Sequence, residues 1–268
     1  MKIQVISDIH LEHYDSIPPK LLDISTITAP YLFLVGDIGI PKAKKSLWLE
    51  YIKWCAANYS YVFYVLGNHE SYGFSYEETI QYIRKVFNTT TPNCTLLENG
   101  IITQLEDYTV IGCTLWTDID FSTAILMNDC KHILKPYVSN LSPHINKVHI
   151  DIQILREWYK RDKEWLETTL NTLQTDPRRN KKIIVATHHL PSMKLIPPKF
   201  QNHHDMKYAK GFASNLDHII PLCNLWLFGH THHHVDMPLD TTRCYANPRG
   251  YPSETEGVAF ENGLIELA

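Results

Sequence analysis

Tyr61-Val62-Phe63-Tyr64-Val65-Leu66-Gly67-Asn68-His69-Glu70 is the stretch that sets the fold class of this chain. Its apolar run is short and rich in aromatic and β-branched residues, which suits a strand covered on both faces. A glycine ends the run, and an amide, an imidazole and a carboxylate follow. The same order recurs at Lys2 to Ser7, which leads into Asp8-Ile9-His10, and at Tyr31 to Val35, which leads into Gly36-Asp37. It recurs again at Lys182 to Thr187 before His188-His189, and at Leu225 to Phe228 before Gly229-His230-Thr231-His232. Tyr108 to Gly112 reads as a sixth strand. Helical stripes lie between the early strands, over Lys44 to Asn58 (Leu47, Trp48, Tyr51, Ile52, Cys55) and over Tyr76 to Phe87 (Ile80, Ile83, Phe87). A long helix is expected from about Ile150 to Gln174, with Trp158, Trp165, Leu166, Leu170 and Leu173 inward and Asp176-Pro177 closing it. Strands alternating with helices predict an α/β architecture. In such sheets ligands bind at the carboxyl ends of the strands, where these polar residues fall.

The residue types suggest metal. Two dications about 3.5–4 Å apart need an anionic bridge, and Asp37 is the natural one. Imidazole, carboxylate and amide-oxygen donors without thiolate suit manganese, iron or zinc. Gly36, Gly67 and Gly229 allow a sharp turn and close backbone approach. In Asp8-x-His10 and His230-x-His232, alternate residues of an extended chain would face one cluster.

The ordered series D-x-H, G-D, G-N-H-E, a later H and G-H-T-H, from Asp8 to His232, resembles the calcineurin-like metallophosphoesterase superfamily. The resemblance implies a four-layer αββα sandwich of two mixed sheets flanked by helices, with a dinuclear metal site at the strands' carboxyl ends. It implies that Asp8, His10 and His232 bind one metal and that Asn68, His188 and His230 bind the other, with Asp37 shared. It implies hydrolysis of a phosphate ester by a metal-bridging hydroxide, with His69 beside the leaving oxygen as catalytic proton donor or as a cation stabilising the phosphoryl group, and with Asn68 and His69 contacting substrate. One position departs. Many members of the superfamily carry an acid that orients the G-N-H histidine, and here that place holds Ile40. Glu70 adjoins His69, but a neighbour on an extended segment points away, so another carboxylate, from the middle region for instance, is expected to take the role.

Several further residues have two readings. His189 can replace His188 as ligand, although the motif favours His188; otherwise it is packed behind the site. His233 and His234 read as exposed turn residues, and His203 and His204 as surface. Ala246-Asn247-Pro248-Arg249-Gly250-Tyr251 and Thr114-Leu115-Trp116-Thr117 resemble a bacterial and viral branch of the superfamily. Arg249 is a candidate phosphate clamp or a structural ion-pair partner. Asp129 and His132 belong either to a substrate-covering cap, which residues 116–176 would form as a helical insertion, or to an ordinary helix surface. The run Lys160 to Glu164 reads as a solvated face.

Bulk composition narrows the remaining classes. The chain has 268 residues and its candidate ligands span nearly all of it, so a single domain over 1–268 is expected. A net charge of -4 argues against strong nucleic-acid affinity. The expected partner is a small phosphorylated substrate or nucleotide. Six scattered cysteines, no signal-peptide core and no membrane-length apolar run predict a cytoplasmic protein with no membrane partner. Rival readings are an interaction scaffold on the same fold, which would be metal-free or inert, and a nuclease at nucleic-acid ends, which would bind DNA in a salt-dependent way. The sequence leaves the oligomeric state open.

Overall fold

Neighbouring side chains of a strand leave it on opposite faces, so a run that is apolar throughout must find two apolar partners. A computed structural model, which describes residues 1–138, 145–176, 182–201, 206–255 and 261–267, shows how both are supplied. The first sheet contains β1 (Lys2–Ile6), β2 (Tyr31–Val35), β3 (Tyr61–Val65), β4 (Cys94–Leu96) and the last strand, β13 (Leu264–Glu266), in the order β13-β1-β2-β3-β4. Only β13 runs antiparallel to its neighbour. The second contains β5 (Ile102–Leu105), β6 (Tyr108–Cys113), β9 (Lys182–Thr187), β10 (Leu225–Phe228), β11 (Val235–Leu239) and β12 (Thr242–Ala246), in the order β11-β12-β10-β9-β6-β5. Its four central strands are parallel and its two edge strands antiparallel.

The sheets pack face to face. Ile3, Val5, Phe33, Val35, Phe63 and Val65 meet Val110, Ile184, Ala186, Leu225 and Leu227 in one buried core. Phe33 and Phe63 are register partners with ring centres 4.6 Å apart. The alternate residues Leu32, Leu34, Val62 and Tyr64 face outward onto helices α1 (Trp48–Asn58) and α2 (Tyr76–Thr89). On the other side, Ile111, Ile183, Val185, Trp226 and Phe228 receive Leu166, Leu170 and Leu173 of α5 (Ile152–Thr175), and Ala209 of α6 (Met206–Phe212). The result is a four-layer αββα sandwich of two mixed sheets.

Helix boundaries follow local capping. Ser46 Oγ accepts the Trp48 N–H at 3.2 Å, so α1 starts at Trp48 and not at Lys44. Asp151 accepts the N–H groups of Gln153 and Ile154 and sets the start of α5 at Ile152. The charged run on α5 is not wholly solvated as expected. Asp162 is buried, and its carboxylate accepts Asn99 Nδ2 at 2.8 Å and the Trp116 N–H at 3.3 Å.

Between β6 and α5, within the second sheet's part of the chain, lie α3 (Phe121–Leu126), α4 (Asp129–His132) and an antiparallel hairpin of β7 (Leu134–Val138) and β8 (Ile145–His149). Bridges from Tyr72 to Ile133 and from Ser75 to Leu134 tie this segment to the loop after β3. Pro143, Pro177, His203 and His204 lie outside the described residues. No described helix is long and apolar enough to cross a membrane.

Candidate metal centre

The carboxyl ends of β1, β2 and β3 meet those of β9 and β10 at one edge of the sandwich, and backbone bonds lock the junction. Gly229 N–H donates to His188 O at 3.0 Å, and Arg249 N–H and Gly250 N–H donate to the Ser7 and Asp8 carbonyls, both at 2.8 Å. The chain does not stay extended there, as the alternate-residue argument assumed. Asp8, His10, Asp37, His230 and His232 all have φ between 47° and 71°, in the left-handed region that side chains disfavour. Such strain, of order 1–3 kcal/mol per residue, persists only where surrounding contacts enforce it, and it clusters at functional sites. The left-handed backbone turns these side chains inward. Close packing leaves no room elsewhere: a methyl group on Gly67 would collide with the Asp37 carboxylate.

Among the described residues three groups of donors result: Asp8 with His10 and His232, Asp37 with His188 and His230, and, beside them, Glu12 with His10, His13 and His69. The first two face each other across Asp37. His10 Nε2 and His232 Nε2 are 3.0 Å apart, and His230 Nδ1 and His188 Nε2 are 3.2 Å apart. Asp37 stands between these two groups. Its Oδ1 accepts the His69 N–H at 2.8 Å. Its Oδ2 lies 3.2 Å from His188 Nε2 and 3.9 Å from His10 Nε2. Asp8 is held by the His230 N–H at 2.9 Å and by Ser7 Oγ.

The far nitrogens decide what the near ones present. His10 Nδ1 pairs with Glu12 Oε1 at 3.1 Å, His188 Nδ1 with Val35 O at 3.0 Å and His232 Nδ1 with Glu254 Oε2 at 2.6 Å. Each acceptor takes an N–H, so in the neutral ring Nε2 carries a lone pair aimed at the cluster. Lone pairs and carboxylate oxygens facing one another at these distances are relieved by a cation or by a proton on an imidazole. Burial opposes a charged His188, yet the adjacent Asp37 carboxylate raises it to about 10. Asn68 is also prepared. Its Nδ2 donates to Tyr72 OH and to Asp129 Oδ1, both at 2.9 Å, which leaves Oδ1 buried and unpartnered. The residues present therefore fit transition-metal ions, which Asp8, His10 and His232 on one side and Asn68, His188 and His230 on the other could hold, with Asp37 between them.

Known proteins resemble this chain in sequence or in fold. The family model for calcineurin-like phosphoesterase matches residues 1–234. The chain belongs to the calcineurin-like phosphoesterase family. A relative, uncharacterized protein L509 of Acanthamoeba polyphaga mimivirus, is 29% identical over 276 aligned positions that cover 94% of this chain and 92% of that one. Among solved structures, the phosphopantetheinyl hydrolase PptH of Mycobacterium tuberculosis aligns with a TM-score of 0.69 at 14% identity, over 98% of this chain and 94% of that one. The protein TT1561 of Thermus thermophilus aligns with a TM-score of 0.52 at 14% identity, over 91% and 88%.

Within this centre, the acid missing at Ile40 is replaced from an unexpected direction. Glu12, just past the D-x-H motif and not in the middle region, places Oε1 at 2.9 Å from His69 Nδ1. The left-handed His10 leads into a short 3-10 turn, Leu11–His13, which swings Glu12 back toward the centre. One oxygen thus serves His10 and His69 together. Burial alone would raise the Glu12 carboxyl, but the two imidazole hydrogen bonds bring it down to about 2. Burial likewise works against a charged His69, yet the Asp37 carboxylate and the bond to Glu12 raise it to about 9. Glu70 has a structural task. Its Oε2 accepts the Gly67 and Asp37 N–H groups at 2.8 and 3.1 Å, and its Oε1 accepts the Ile38 N–H at 2.8 Å and Tyr64 OH at 2.7 Å.

His188 lies in the Asp37 group. His189 is buried beside it, and burial together with the His188 charge pushes it down to about 3. Asp129 is buried against Asn68 and Tyr72, so it is no ordinary surface residue, whereas His132 is exposed. His233 and His234 are exposed. Arg249 is half-buried, and Tyr251 is the residue of its turn that packs on the centre, 4.4 Å from the His10 ring and 4.6 Å from that of His232. Sequence reasoning missed Glu12 and Tyr251. The spacing His10-x-Glu12 was the available signal, legible only if His10 is known to turn the chain.

Proposed function

We propose that this chain is a hydrolase that binds two divalent transition-metal ions and cleaves a phosphate ester. In this reading Asp8, His10 and His232 hold one ion, Asn68, His188 and His230 hold the other, and Asp37 is shared. Manganese, iron and zinc suit the donors. The observation that carries the reading is Asp37 Oδ2 set between two groups of inward-facing imidazole nitrogens. Bound there, two dications would supply activated water and offset the charge of the phosphate. In the net reaction a water oxygen bonds to phosphorus, the bond from phosphorus to the alcohol oxygen breaks, and that oxygen keeps the electron pair and takes a proton.

The chain's own residues have separable tasks. His69, anchored through Nδ1 on Glu12, holds a proton at Nε2 for the departing oxygen. Cations at the centre would cancel the Asp37 contribution to His69 but leave the Glu12 hydrogen bond in place. Asn68 and His69 contact the phosphoryl group, and Arg249 is a further candidate contact. A net charge of -4 favours a small phosphomonoester, phosphodiester or nucleotide over a long nucleic acid. The six cysteines are free and five of them buried, which supports a reducing, cytoplasmic setting.

The test is a panel of phosphomonoesters and phosphodiesters assayed with manganese, iron, zinc or chelator. Metal-dependent turnover is expected, with Asp37→Asn losing it. Arg249→Ala should raise KM if the guanidinium meets phosphate. An Asp37→Asn protein as active as the parent would refute the metal mechanism, and a chain that never takes up metal would return it to the scaffold class.

A further inference from the structure

His69 stands on a boundary. On one side is the metal cleft of about 260 Å³, whose lining includes Asp37, Asn68, His230 and His232. On the other side opens a larger cavity of about 810 Å³. His69, Tyr72 and Tyr251 line both. The volume falls within the range of small-molecule binding pockets, about 300–1,000 Å³.

Much of the wall of the larger cavity is rings and apolar groups, namely His13, Ile40, Tyr72, His132, Tyr251 and Pro252, with Asn128 and Ser253 as neutral polar members. The rings stand close enough to form a continuous face. Tyr72 has the His69 ring at 4.2 Å on one side and the His132 ring at 5.0 Å on the other, and His13 lies 5.4 Å from Tyr251. Among the described residues that line it there is no lysine or arginine. Its one carboxylate, Glu12, is engaged by His10 and His69. A second phosphate lodged here would find no lysine or arginine among the described lining residues, and the His69 ring is already bonded to Glu12 and turned to the scissile oxygen. The departure at Ile40 gains a consequence as well. With the acid supplied from Glu12, Ile40 is left to contribute apolar wall.

We propose that this cavity binds the alcohol half of the substrate, and that the alcohol carries an uncharged ring system. The proposal rests on the phosphoesterase reading above and names its substrate class. The phosphoryl group sits in the metal cleft, the scissile oxygen lies beside His69, and the leaving alcohol extends past His69 into the ring-lined space. Esters whose leaving group is itself a phosphate are disfavoured, because no lysine or arginine stands among the described lining residues.

Two esters with leaving alkoxides of similar basicity separate the possibilities: ethyl phosphate and 1-naphthylmethyl phosphate, assayed with the full chain and manganese. kcat/KM for the ring-bearing ester should exceed that for the ethyl ester by about tenfold or more, the discrimination typical of an added apolar group in a pocket. Ser253 lines the cavity and is exposed, so Ser253→Trp should fill part of it and pull the ratio down several-fold. Independently of any variant, 1-naphthalenemethanol should compete with ethyl phosphate in the unmodified protein. A ratio near one together with no competition by the alcohol would overturn the proposal while leaving the hydrolase reading intact. Absence of metal-dependent turnover for both esters would overturn the two together.

Discussion

Glu12 shows how much one oxygen can organise. His10 is a proposed metal ligand and His69 the proposed proton donor, and both present Nδ1 to Glu12 Oε1, at 3.1 and 2.9 Å. A carboxylate in this position fixes the tautomer and tilt of each ring and makes each more basic. Loss of such an outer carboxylate typically costs about 10–100-fold in metal affinity or activity. Glu12→Gln keeps the shape but offers a neutral acceptor to two N–H groups. We expect kcat to fall by about that factor and the manganese requirement to rise together with it, because ligand and proton donor share the anchor. A purely structural Glu12 would instead lower the denaturation midpoint and leave the metal titration alone. Steady-state kinetics across a manganese series distinguish the two, and unchanged kcat and metal dependence would remove Glu12 from the machinery. The residue was hidden in the sequence because its meaning depends on backbone conformation. Two positions past His10, an extended strand would carry Glu12 onward; the left-handed turn at His10 brings it back.

At the scale of elements, the sequence displays its strands more openly than its helix details. Runs such as Tyr31 to Val35 are apolar on both faces because both faces are covered, and their pairing in the first sheet follows. Helix α5 was legible from its apolar stripe, but one member of that stripe was misassigned. Trp158, Asp162, Leu166 and Leu170 recur at intervals of four, so the periodicity itself points Asp162 inward. Reading the charges of Lys160 to Glu164 as one block obscured this. Asp162 is buried because Asn99 and the Trp116 N–H supply partners from the loops that α5 covers, and no single-helix pattern contains those. Burial raises its carboxyl above the usual range, the signature of an acid kept in the core. Asp162→Ala would strand both donors and is expected to destabilise the protein by about 1–3 kcal/mol. Urea unfolding measures this, and a variant within a few tenths of the parent would mean that water replaces the carboxylate without loss.

For the whole molecule, the decisive property is that the proposed ligands come from both sheets. Asp8, His10, Asp37 and Asn68 follow strands of the first sheet, and His188, His230 and His232 follow strands of the second. This much was legible, because each polar cluster ends an apolar run. What could not be read is how closely the two sets approach, since that depends on face-to-face packing and on left-handed turns. If the proposed ions bind, metal becomes part of the fold's stability. Without them, protons on the crowded imidazoles must balance the carboxylates where the sheets are joined. An ion that binds the folded chain but not the unfolded one stabilises it by about 2.7 kcal/mol at a hundredfold excess over Kd. For a chain of this size that corresponds to a rise in Tm of about 5–10 °C. Thermal scans of chelator-stripped protein with and without manganese should show this rise. Asp37→Asn, which removes the anion between the two groups, should lose most of it even if the stripped variant melts no lower than the stripped parent. Because this readout involves no substrate, it bears on the centre alone: equal melting with and without metal would mean that the two sheets meet here for some other reason than to hold cations.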